Sequence, residues 1–461
     1  MAHILISAAH KSSGKTTVSV GLAAALAGKG LNVQTFKKGP DYIDPMWLSR
    51  ATHKACRNLD YYTMSNEEIL ATYARFSQPA DFSLIEANKG LYDGLDLEGG
   101  NSNAALATLL KAPVILVIDA RGMTRGIAPL ILGYQAFDPA LNIAGVILNK
   151  VGGLRHERKL RTIIEHYTNV PVLGAVHKDQ RLEIPERHLG LTPSNEAPEA
   201  DAKIAAIATL IESQVDLDAI RAIAEKAAKS PTPAQSPRKQ AEADLTIGIA
   251  RDSAFGFYYP GDLEALEDAG AKLVNIDMTE DSSLPAIDGL FIGGGFPETR
   301  MNALQANQSM RDAVRQAING GLPAYAECGG LMYLARSLTW NGATCAMAGV
   351  IPGDIVMHEK PQGRGYVRLR ETGNGPWPLI SAGGQREEIP AHEFHYSSLE
   401  NLEGEPVFAY EVVRGHGIDG KYDGLIYNNL LAGYAHLRDV DANHWAGRFV
   451  KFVRSCKQSI L

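Results

Sequence analysis

Residues 4–26 have the sequence ILISAAHKSSGKTTVSVGLAAAL, in which an apolar strand, a short polar loop and an apolar helix follow one another. The runs of apolar residues predict the strand over Ile4–Ala8 and the helix over Val18–Leu26. A phosphate-binding loop requires this order of strand, loop and helix. The context favours a nucleotide site over a chance Gly-Lys-Thr sequence, although Ala9 occupies the place of the usual first glycine.

Gly14, Lys15, Thr16 and Thr17 are the predicted nucleotide-binding residues of this loop. Backbone N–H groups at the start of a helix are free to hold phosphate oxygens. Lys15 would add a positive charge, and the Thr16 hydroxyl would bind the Mg²⁺ that accompanies a nucleotide. The loop therefore predicts ATP as a co-substrate and Mg²⁺ as a cofactor.

The alternation of strands and helices continues from this loop along the chain and restarts after one linker-like segment. Near-continuous apolar strands are typical of a parallel sheet covered by helices on both faces. The predicted strands are Ile4–Ala8, Val33–Lys37, Phe82–Ala87, Val114–Asp119, Ala144–Asn149, Val172–Val176, Leu245–Ala250, Lys272–Ile276, Gly289–Ile292, Pro323–Ala326 and, in a more antiparallel region, Val407–Val413. Residues 227–243 are rich in Pro, Ala, Ser and charge. We therefore predict α/β domains over 1–226 and 244–461, joined by a linker over 227–243.

Three acids and one amide of the first domain are candidate site residues because they lie beyond or at the ends of predicted strands. Asp41 and Asp44 lie in a turn near basic residues, where they could hold Mg²⁺, position an acyl-phosphate or simply form the turn. Glu86 ends a strand, where it would be either a metal-binding acid or a solvated one. Asn149 ends another strand, where its side-chain amide could recognise the edge of an adenine.

Cys328 is the candidate nucleophile of the second domain, because it stands between a predicted strand and a Gly-Gly pair. A strand followed at once by a helix exposes such a residue on a strained turn and leaves backbone N–H groups near it. A cysteine alone is more often a small buried apolar residue, but this context favours a nucleophile. His436 is the first candidate for its base, and His392 and His395 are the alternatives.

Glycines near Cys328 are the candidate donors for an oxyanion hole. Gly293-Gly294-Gly295 follows a predicted strand, and Gly329 follows the nucleophile itself. The backbone N–H groups of Gly294, Gly295 and Gly329 are predicted to hold a developing oxyanion and the bound glutamine.

Composition restricts the class of protein further. A net charge of -7 and a pI near 6.0 argue against a nucleic-acid partner, which would require a basic face. No apolar run approaches the ~20 residues of a membrane span, and the first residues lack the features of a signal peptide. The four cysteines are scattered and form no metal-binding pair. We expect a cytoplasmic protein without membrane or nucleic-acid partners.

Eight short blocks in this order resemble the cobyrinic acid a,c-diamide synthase family over nearly the whole chain. The blocks are Gly14–Thr17, Lys38–Pro45, Cys56–Asp60, Gly90–Gly94, Ile184–Leu191, Gly293–Glu298, Ala326–Gly330 and His392–Ser397. The resemblance implies a dethiobiotin-synthetase-like ATP domain followed by a class I glutamine amidotransferase domain. It also implies amidation of the a and c acetate groups of a tetrapyrrole, with L-glutamine as nitrogen donor.

The resemblance also assigns roles to residues. Asp41, Asp44 and Glu86 fall where the family places acids that handle metal, phosphate or substrate, and Thr16, Asp41 and Glu86 would hold Mg²⁺. Cys328 would be the glutaminase nucleophile and His436 its base. A homodimer is an open alternative to a monomer.

Several positions depart from the family pattern. Arg438 stands two residues after His436, where class I glutaminases usually have an acid, so another group must orient the histidine; Asp439 is the nearest acid in the sequence. The loop residues Asn88 and Lys89, like the loop at 10–13, look like a branch proposed to amidate siroheme. Siroheme or a (nickel-)sirohydrochlorin is therefore the alternative substrate. A scaffold ATPase, or a tetrapyrrole-binding module without activity, is the alternative of another class.

Overall fold

The computed structural model describes residues 2–187, 190–231, 240–380 and 387–460. The chain divides into two compact units, Met1–Ser236 and Pro237–Leu461. Much of the predicted linker, residues 232–239, lies outside the described residues, as do two residues of the 184–191 block. Among the described residues, no helix is both long enough and apolar enough to cross a membrane.

The first unit is built on a seven-stranded sheet in which all neighbouring strands are parallel. The strands are β1 (Ala2–Ala8), β2 (Val33–Lys38), β3 (Arg57–Leu59), β4 (Phe82–Glu86), β5 (Val114–Asp119), β6 (Ile143–Val151) and β7 (Val172–His177), and their order in the sheet is β3-β2-β4-β1-β5-β6-β7. Every residue of β2, β4 and β5 is buried, as expected for strands covered on both faces. The prediction of a parallel sheet is confirmed.

Helices cover this sheet between its strands. They are α1 (Lys15–Gly28), α2 (Ile43–Thr52), α3 (Asn66–Ser77), α4 (Asn103–Leu110), α5 (Ile127–Phe137), α6 (Leu154–Tyr167), α7 (Ala200–Gln214) and α8 (Leu217–Glu225). A short 3₁₀ turn (Gln180–Leu182) and a two-stranded ribbon, β8 (Glu186–Arg187) with β9 (Gly190–Leu191), precede α7. The carboxyl ends of parallel strands share one edge of a sheet, so the residues that follow β1, β4 and β6 lie on the same side.

The second unit contains a nine-stranded mixed sheet. Its strands are β10 (Leu245–Ala250), β12 (Ala271–Ile276), β13 (Gly289–Ile292), β15 (Ala324–Glu327), β19 (Gly363–Glu371), β20 (Glu388–His395), β22 (Val407–Arg414), β23 (Tyr422–Tyr427) and β24 (Leu430–Gly433), in the order β12-β10-β13-β15-β24-β23-β22-β19-β20. The first five strands of this order are parallel, and the pairings from β24 to β20 are antiparallel. The predicted antiparallel character near Val407–Val413 is confirmed.

Smaller elements complete the second unit. They are β11 (Phe255–Phe257), β14 (Gly294–Gly295), β16 (Ala335–Trp340), β17 (Ala343–Ala346), β18 (Ile351–Met357), β21 (Ser397–Glu400), a 3₁₀ turn (Pro297–Arg300), and the helices α9 (Pro260–Asp268), α10 (Met301–Ala306), α11 (Gln308–Asn319), α12 (Gly329–Leu334) and α13 (Trp445–Ile460). β11 pairs with β14, and β17, β16, β18 and β21 form a four-stranded sheet. The fold class is therefore α/β in both units, as predicted.

Candidate active sites

The phosphate loop between β1 and α1 depends on a glycine in the left-handed backbone region. Gly14 has φ +86°, and a Cβ at this position would lie 2.1 Å from Asn149 Nδ2. Asn149 Nδ2 donates to the Ser13 carbonyl at 2.8 Å, and Asn149 Oδ1 accepts the Lys150 N–H at 2.9 Å. The amide predicted to read adenine thus supports the phosphate loop, and adenine recognition stays a prediction.

Lys15 lies inside the loop with its ammonium group largely buried. Its Nζ donates to the Lys89 carbonyl at 2.6 Å. Burial and the neighbouring charge of Lys37 lower the pKa of Lys15 to about 8. A phosphate group would compensate for this cost, because it brings negative charge to a desolvated cation.

The three predicted acids lie together beside the first turn of α1. The Thr16 hydroxyl donates to Glu86 Oε1 at 2.8 Å and to Asp44 Oδ2 at 3.2 Å. Asp41 Oδ1 accepts the Asp44 N–H at 3.1 Å. Burial and the charge of Asp44 raise the pKa of Asp41 to about 7. Residues that are far apart in the sequence therefore form one acidic group at the phosphate loop.

Lys37 was not among the predicted site residues, but it lies at the centre of this group. Its Nζ is 2.5 Å from Asp44 Oδ2, 3.0 Å from Glu86 Oε1 and 3.7 Å from Asp41 Oδ2, and its side chain is 2% exposed. Burial lowers the pKa of Lys37, but the three carboxylates outweigh it and raise the pKa well above its usual value. The signal in the sequence was a lysine in a strand predicted to be buried on both faces.

A groove of about 720 Å³ passes over the phosphate loop and the acidic group. Seven cationic side chains line it, namely Lys11, Lys15, Lys37, Lys89, Arg121, Lys150 and Lys178. Asp41, Asp44 and Glu86 lie on its wall. Such a groove can hold a polyphosphate and a second anionic molecule, because the cations offset the charge of both.

The residues at this groove fit a magnesium ion bound mainly through a nucleotide. Glu86 Oε2 is buried and has no hydrogen-bond partner among the described residues. Within the described ranges, no group of three or more His, Cys, Asp or Glu side chains could hold a metal ion. Mg²⁺ does not need such a cage, because one or two carboxylates, a hydroxyl and phosphate oxygens commonly complete its shell.

Cys328 joins β15 directly to α12 in a strained backbone conformation. Its φ of 48° and ψ of -102° are unusual for a residue with a side chain. Its N–H donates to the Gly433 carbonyl at 2.8 Å, and its carbonyl accepts the Met332 N–H at 3.1 Å. Strain of this kind is concentrated at functional sites. The geometry is the strand–nucleophile–helix turn expected from the sequence.

His436 lies beside Cys328, just beyond β24. Burial lowers the pKa of His436, but hydrogen bonds to Cys328 and Glu327 outweigh this effect and raise the pKa to about 10. His436 Nδ1 lies 3.4 Å from Glu327 Oε2. A protonated histidine next to a thiol favours the thiolate, which is the nucleophilic form of cysteine.

The two alternative bases have other contacts. The ring of His392 is stacked on that of His436, with 4.8 Å between the centroids and 14° between the planes. Burial, followed by the charge of His436, lowers the pKa of His392 well below its usual value, so it remains neutral. His395 Nδ1 lies 2.8 Å from the Ser397 carbonyl, and its ring is stacked on Tyr434 at 3.8 Å. These contacts favour His436 as the base.

Asp439, the acid nearest to His436 in the sequence, lies against a different element. Its Oδ2 accepts the Ala446 N–H at 2.8 Å, and its Oδ1 lies 3.4 Å from His444 Nδ1. Arg438 lies over the ring of Tyr259, at 4.9 Å. The carboxylate that faces His436 comes from Glu327, which sequence reasoning missed because Glu327 is distant from His436 in the chain.

The glycines predicted to donate to an oxyanion are closely packed around the nucleophile and its base. A Cβ on Gly294 would lie 2.6 Å from His436 Cε1, and one on Gly295 would lie 1.9 Å from the Ala254 carbonyl oxygen. A Cβ on Gly329 would lie 3.0 Å from the Gly295 nitrogen. The distances at Gly294 and Gly295 are too short for any Cβ, and the distance at Gly329 leaves little room for one. The oxyanion role of Gly294, Gly295 and Gly329 stays a prediction.

Comparison with known proteins agrees with this division into two sites. Residues 4–191 match the family described as the CobQ/CobB/MinD/ParA nucleotide binding domain, and residues 246–442 match the CobB/CobQ-like glutamine amidotransferase domain. Cobyrinate a,c-diamide synthase of Magnetococcus marinus is 45% identical over 458 residues, which cover 98% of this chain and 97% of that protein. The enzymes of the same name from Methanosarcina acetivorans and Archaeoglobus fulgidus are each 40% identical, over 97% of this chain and 94% and 96% of theirs.

Proposed function

The chain belongs to the cobyrinate a,c-diamide synthase family, and on this premise we propose that it converts the a and c acetate carboxylates of a cobyrinate-type tetrapyrrole into amides. ATP supplies the activation and L-glutamine supplies the nitrogen. The main support is the presence, in one chain, of a phosphate loop beside buried acids and of a strained cysteine hydrogen-bonded to a histidine.

In the first unit, the proposed reaction is the phosphorylation of a substrate carboxylate. Hydroxide is a poor leaving group, whereas phosphate leaves readily when ammonia attacks an acyl-phosphate. In this proposal, Lys15 and the N–H groups of the loop hold the transferred phosphoryl group, and Lys37, which lines the same groove, offsets charge that develops on it. Mg²⁺ would be held by Thr16, Glu86 and the nucleotide, and would neutralise phosphate charge.

In the second unit, the proposed reaction is the hydrolysis of the glutamine side chain. The Cys328 thiolate attacks the amide carbonyl, and His436 gives a proton to the departing ammonia. Water then hydrolyses the thioester to glutamate. The backbone of Gly294, Gly295 and Gly329 is the proposed site for the oxyanion.

The macrocycle that the first unit binds has two candidates. Siroheme or a sirohydrochlorin is the second candidate, because the loops that depart from the family pattern border the groove. Lys11, Ser12, Asn88 and Lys89 all line it. In this proposal, these side chains contact the macrocycle, and the departures at these loops contribute to substrate choice.

Mass spectrometry of the products tests the proposal. The protein is incubated with Mg-ATP, glutamine and one macrocycle in each reaction. The three macrocycles are cobyrinic acid, sirohydrochlorin and siroheme. Conversion of two carboxylates in cobyrinic acid is the expected result. Conversion of siroheme or sirohydrochlorin alone would favour the alternative, and ATP and glutamine turnover with no amidated product would reject both macrocycle classes.

Two cysteine variants test the assignment of the nucleophile. Cys328→Ala is expected to lose glutamine-dependent amidation and to keep amidation supported by ammonium chloride, since the first unit is unchanged. Cys456→Ala is the matched control, because that cysteine lies on α13 and is only partly buried. Full glutaminase activity in Cys328→Ala would reject the assignment.

A further inference from the structure

We propose that Glu327, the residue immediately before the nucleophile, is the positioning residue that orients His436 in the glutaminase site. Class I glutaminases usually take this carboxylate from two residues after the histidine, where this chain has Arg438. The proposal rests on the proposed role of Cys328 as nucleophile, and its test separates the two.

The geometry of Glu327 points its carboxylate at the base. Oε2 lies 3.4 Å from His436 Nδ1, and both side chains are almost completely buried. Oε1 accepts the N–H of Leu437 at 2.8 Å and the hydroxyl of Tyr325. One oxygen of this carboxylate therefore faces the ring of the base, and the other is hydrogen-bonded to the backbone next to the base.

The placement of Glu327 follows from the period of β15. Successive residues of a strand point to opposite faces, so Tyr325 and Glu327 share a face of β15. Cys328 follows at the turn and is held to the Gly433 carbonyl. β15 and β24 are parallel neighbours paired at Glu327 and Gly433, which brings the residue before the nucleophile close to the segment that carries the histidine.

A carboxylate at Nδ1 determines what the other ring nitrogen can do. An acceptor at Nδ1 keeps a proton on that atom and leaves Nε2 to exchange a proton with the thiol or the leaving ammonia. It also stabilises the imidazolium that the thiolate requires. Cys328 and the neutral His392 also face His436, and Tyr258, Asp262, Tyr325 and Tyr410 are ionisable groups near Glu327.

A role confined to folding would use the same hydrogen bonds, and the predicted pH behaviour separates the two roles. If Glu327 orients and charges His436, its loss lowers the pH at which the imidazolium disappears. If Glu327 only holds the backbone of Leu437, its loss lowers the amount of folded protein and leaves that pH unchanged.

The test uses the full chain with Glu327→Gln, which keeps the shape and removes the charge. We measure glutamine hydrolysis and the rate of Cys328 alkylation by iodoacetamide from pH 6 to pH 10.5, with the modified peptide identified by mass spectrometry. The expected results are a loss of about 10²-fold in kcat and a shift of the alkaline limb of glutamine hydrolysis to lower pH, because the imidazolium that gives its proton to ammonia is lost at a lower pH. Mg-ATP affinity is expected to stay unchanged.

Two further variants complete the test. Glu327→Asp keeps the charge, so the alkaline fall of its activity is expected at a higher pH than in Glu327→Gln. Tyr325→Phe removes only a hydroxyl that supports Glu327, so it is expected to shift this fall less than Glu327→Gln does. An alkaline limb in Glu327→Gln that matches that of the unmodified protein would overturn the inference, whatever its kcat. Glutaminase activity in Cys328→Ala would instead overturn the assignment of the nucleophile.

Discussion

At the scale of single residues, the most unusual feature of the first unit is the buried ammonium of Lys37. It lies within 4 Å of Asp41, Asp44 and Glu86, and its side chain is 2% exposed. Removing one partner of a buried ion pair is costly, because the remaining charges lose their compensation. Lys37 therefore supports the structure of the acidic group.

We expect Lys37→Met to abolish amidation and to lower the free energy of unfolding by about 3–5 kcal/mol at pH 7. Without the lysine, the carboxylates bind protons more readily in the folded state, so the loss should shrink as the pH is lowered. Urea unfolding at pH 5 and pH 7 measures both effects. Lys29→Met is the control, since Lys29 pairs with Glu212 while both side chains are about half exposed, and it should change stability little. Equal effects of the two variants would contradict this account.

At the scale of elements, the contact of α1 with α7 supports the helix whose first turn forms the phosphate site. Gly21 allows the approach, because a Cβ there would lie 2.4 Å from Ile211 Cγ1 and 2.9 Å from Ile207 Cγ2. Gly28, at the end of the same helix, has no atom within 4 Å of its built Cβ. The two glycines therefore lie on the same helix, but only Gly21 is closely packed against a neighbouring helix.

Alanine at these two positions should have opposite effects. Gly21→Ala overpacks the interface, which typically costs about 1–3 kcal/mol, more than the gain of about 1 kcal/mol from helix propensity. Gly28→Ala brings the propensity gain without a clash. Thermal unfolding of both variants measures the sign of each effect. A stabilised Gly21→Ala variant would show that the interface relaxes more easily than its packing indicates.

The elements also show where sequence patterns were sufficient. The apolar runs predicted the central strands of both sheets to within a few residues, because a strand covered on both faces must be apolar along its whole length. β3 and most antiparallel strands of the second unit were not predicted. β3 is short, and half-exposed strands such as β19 alternate apolar and polar residues with a weaker signal.

At the scale of the whole molecule, the two chemistries belong to separate compact units. Each unit has its own buried core, one around Ile6, Val20 and Ile207 and another around Ile292, Ala326 and Leu331. The described residues that line the groove over the phosphate loop belong to the first unit. Ligand binding by one unit should therefore survive a defect in the other.

Two variants of the full chain test this separation. Lys15→Ala should abolish Mg-ATP binding, measured by calorimetry, and leave the alkylation rate of Cys328 within about twofold of that of the unmodified protein. Cys328→Ala should leave the affinity for Mg-ATP within the same range. A large change in Cys328 alkylation caused by Lys15→Ala would show that the unliganded sites are coupled.

The residues that the sequence alone identified share one property, which is that neighbours along the chain create their environment. The phosphate loop at 14–17 and the turn at Cys328 each need a strand, a few small residues and a helix in immediate succession, so local patterns were enough. Asp41, Asp44 and Glu86 were named as candidates on the same basis, but spacing alone left their role open.

Lys37 and Glu327 depended on the tertiary structure. Lys37 and Glu86 are 49 positions apart, and only the pairing of β2 with β4 buries them together. Glu327 faces His436 only because β15 and β24 are neighbours in the sheet. The sequence alone identified the reactive groups of the loop at 14–17 and of the turn at Cys328, because residues adjacent in the chain form both. The tertiary structure alone decided which charged groups are paired, because burial and electrostatic pairing depend on distances that arise only when the sheets form.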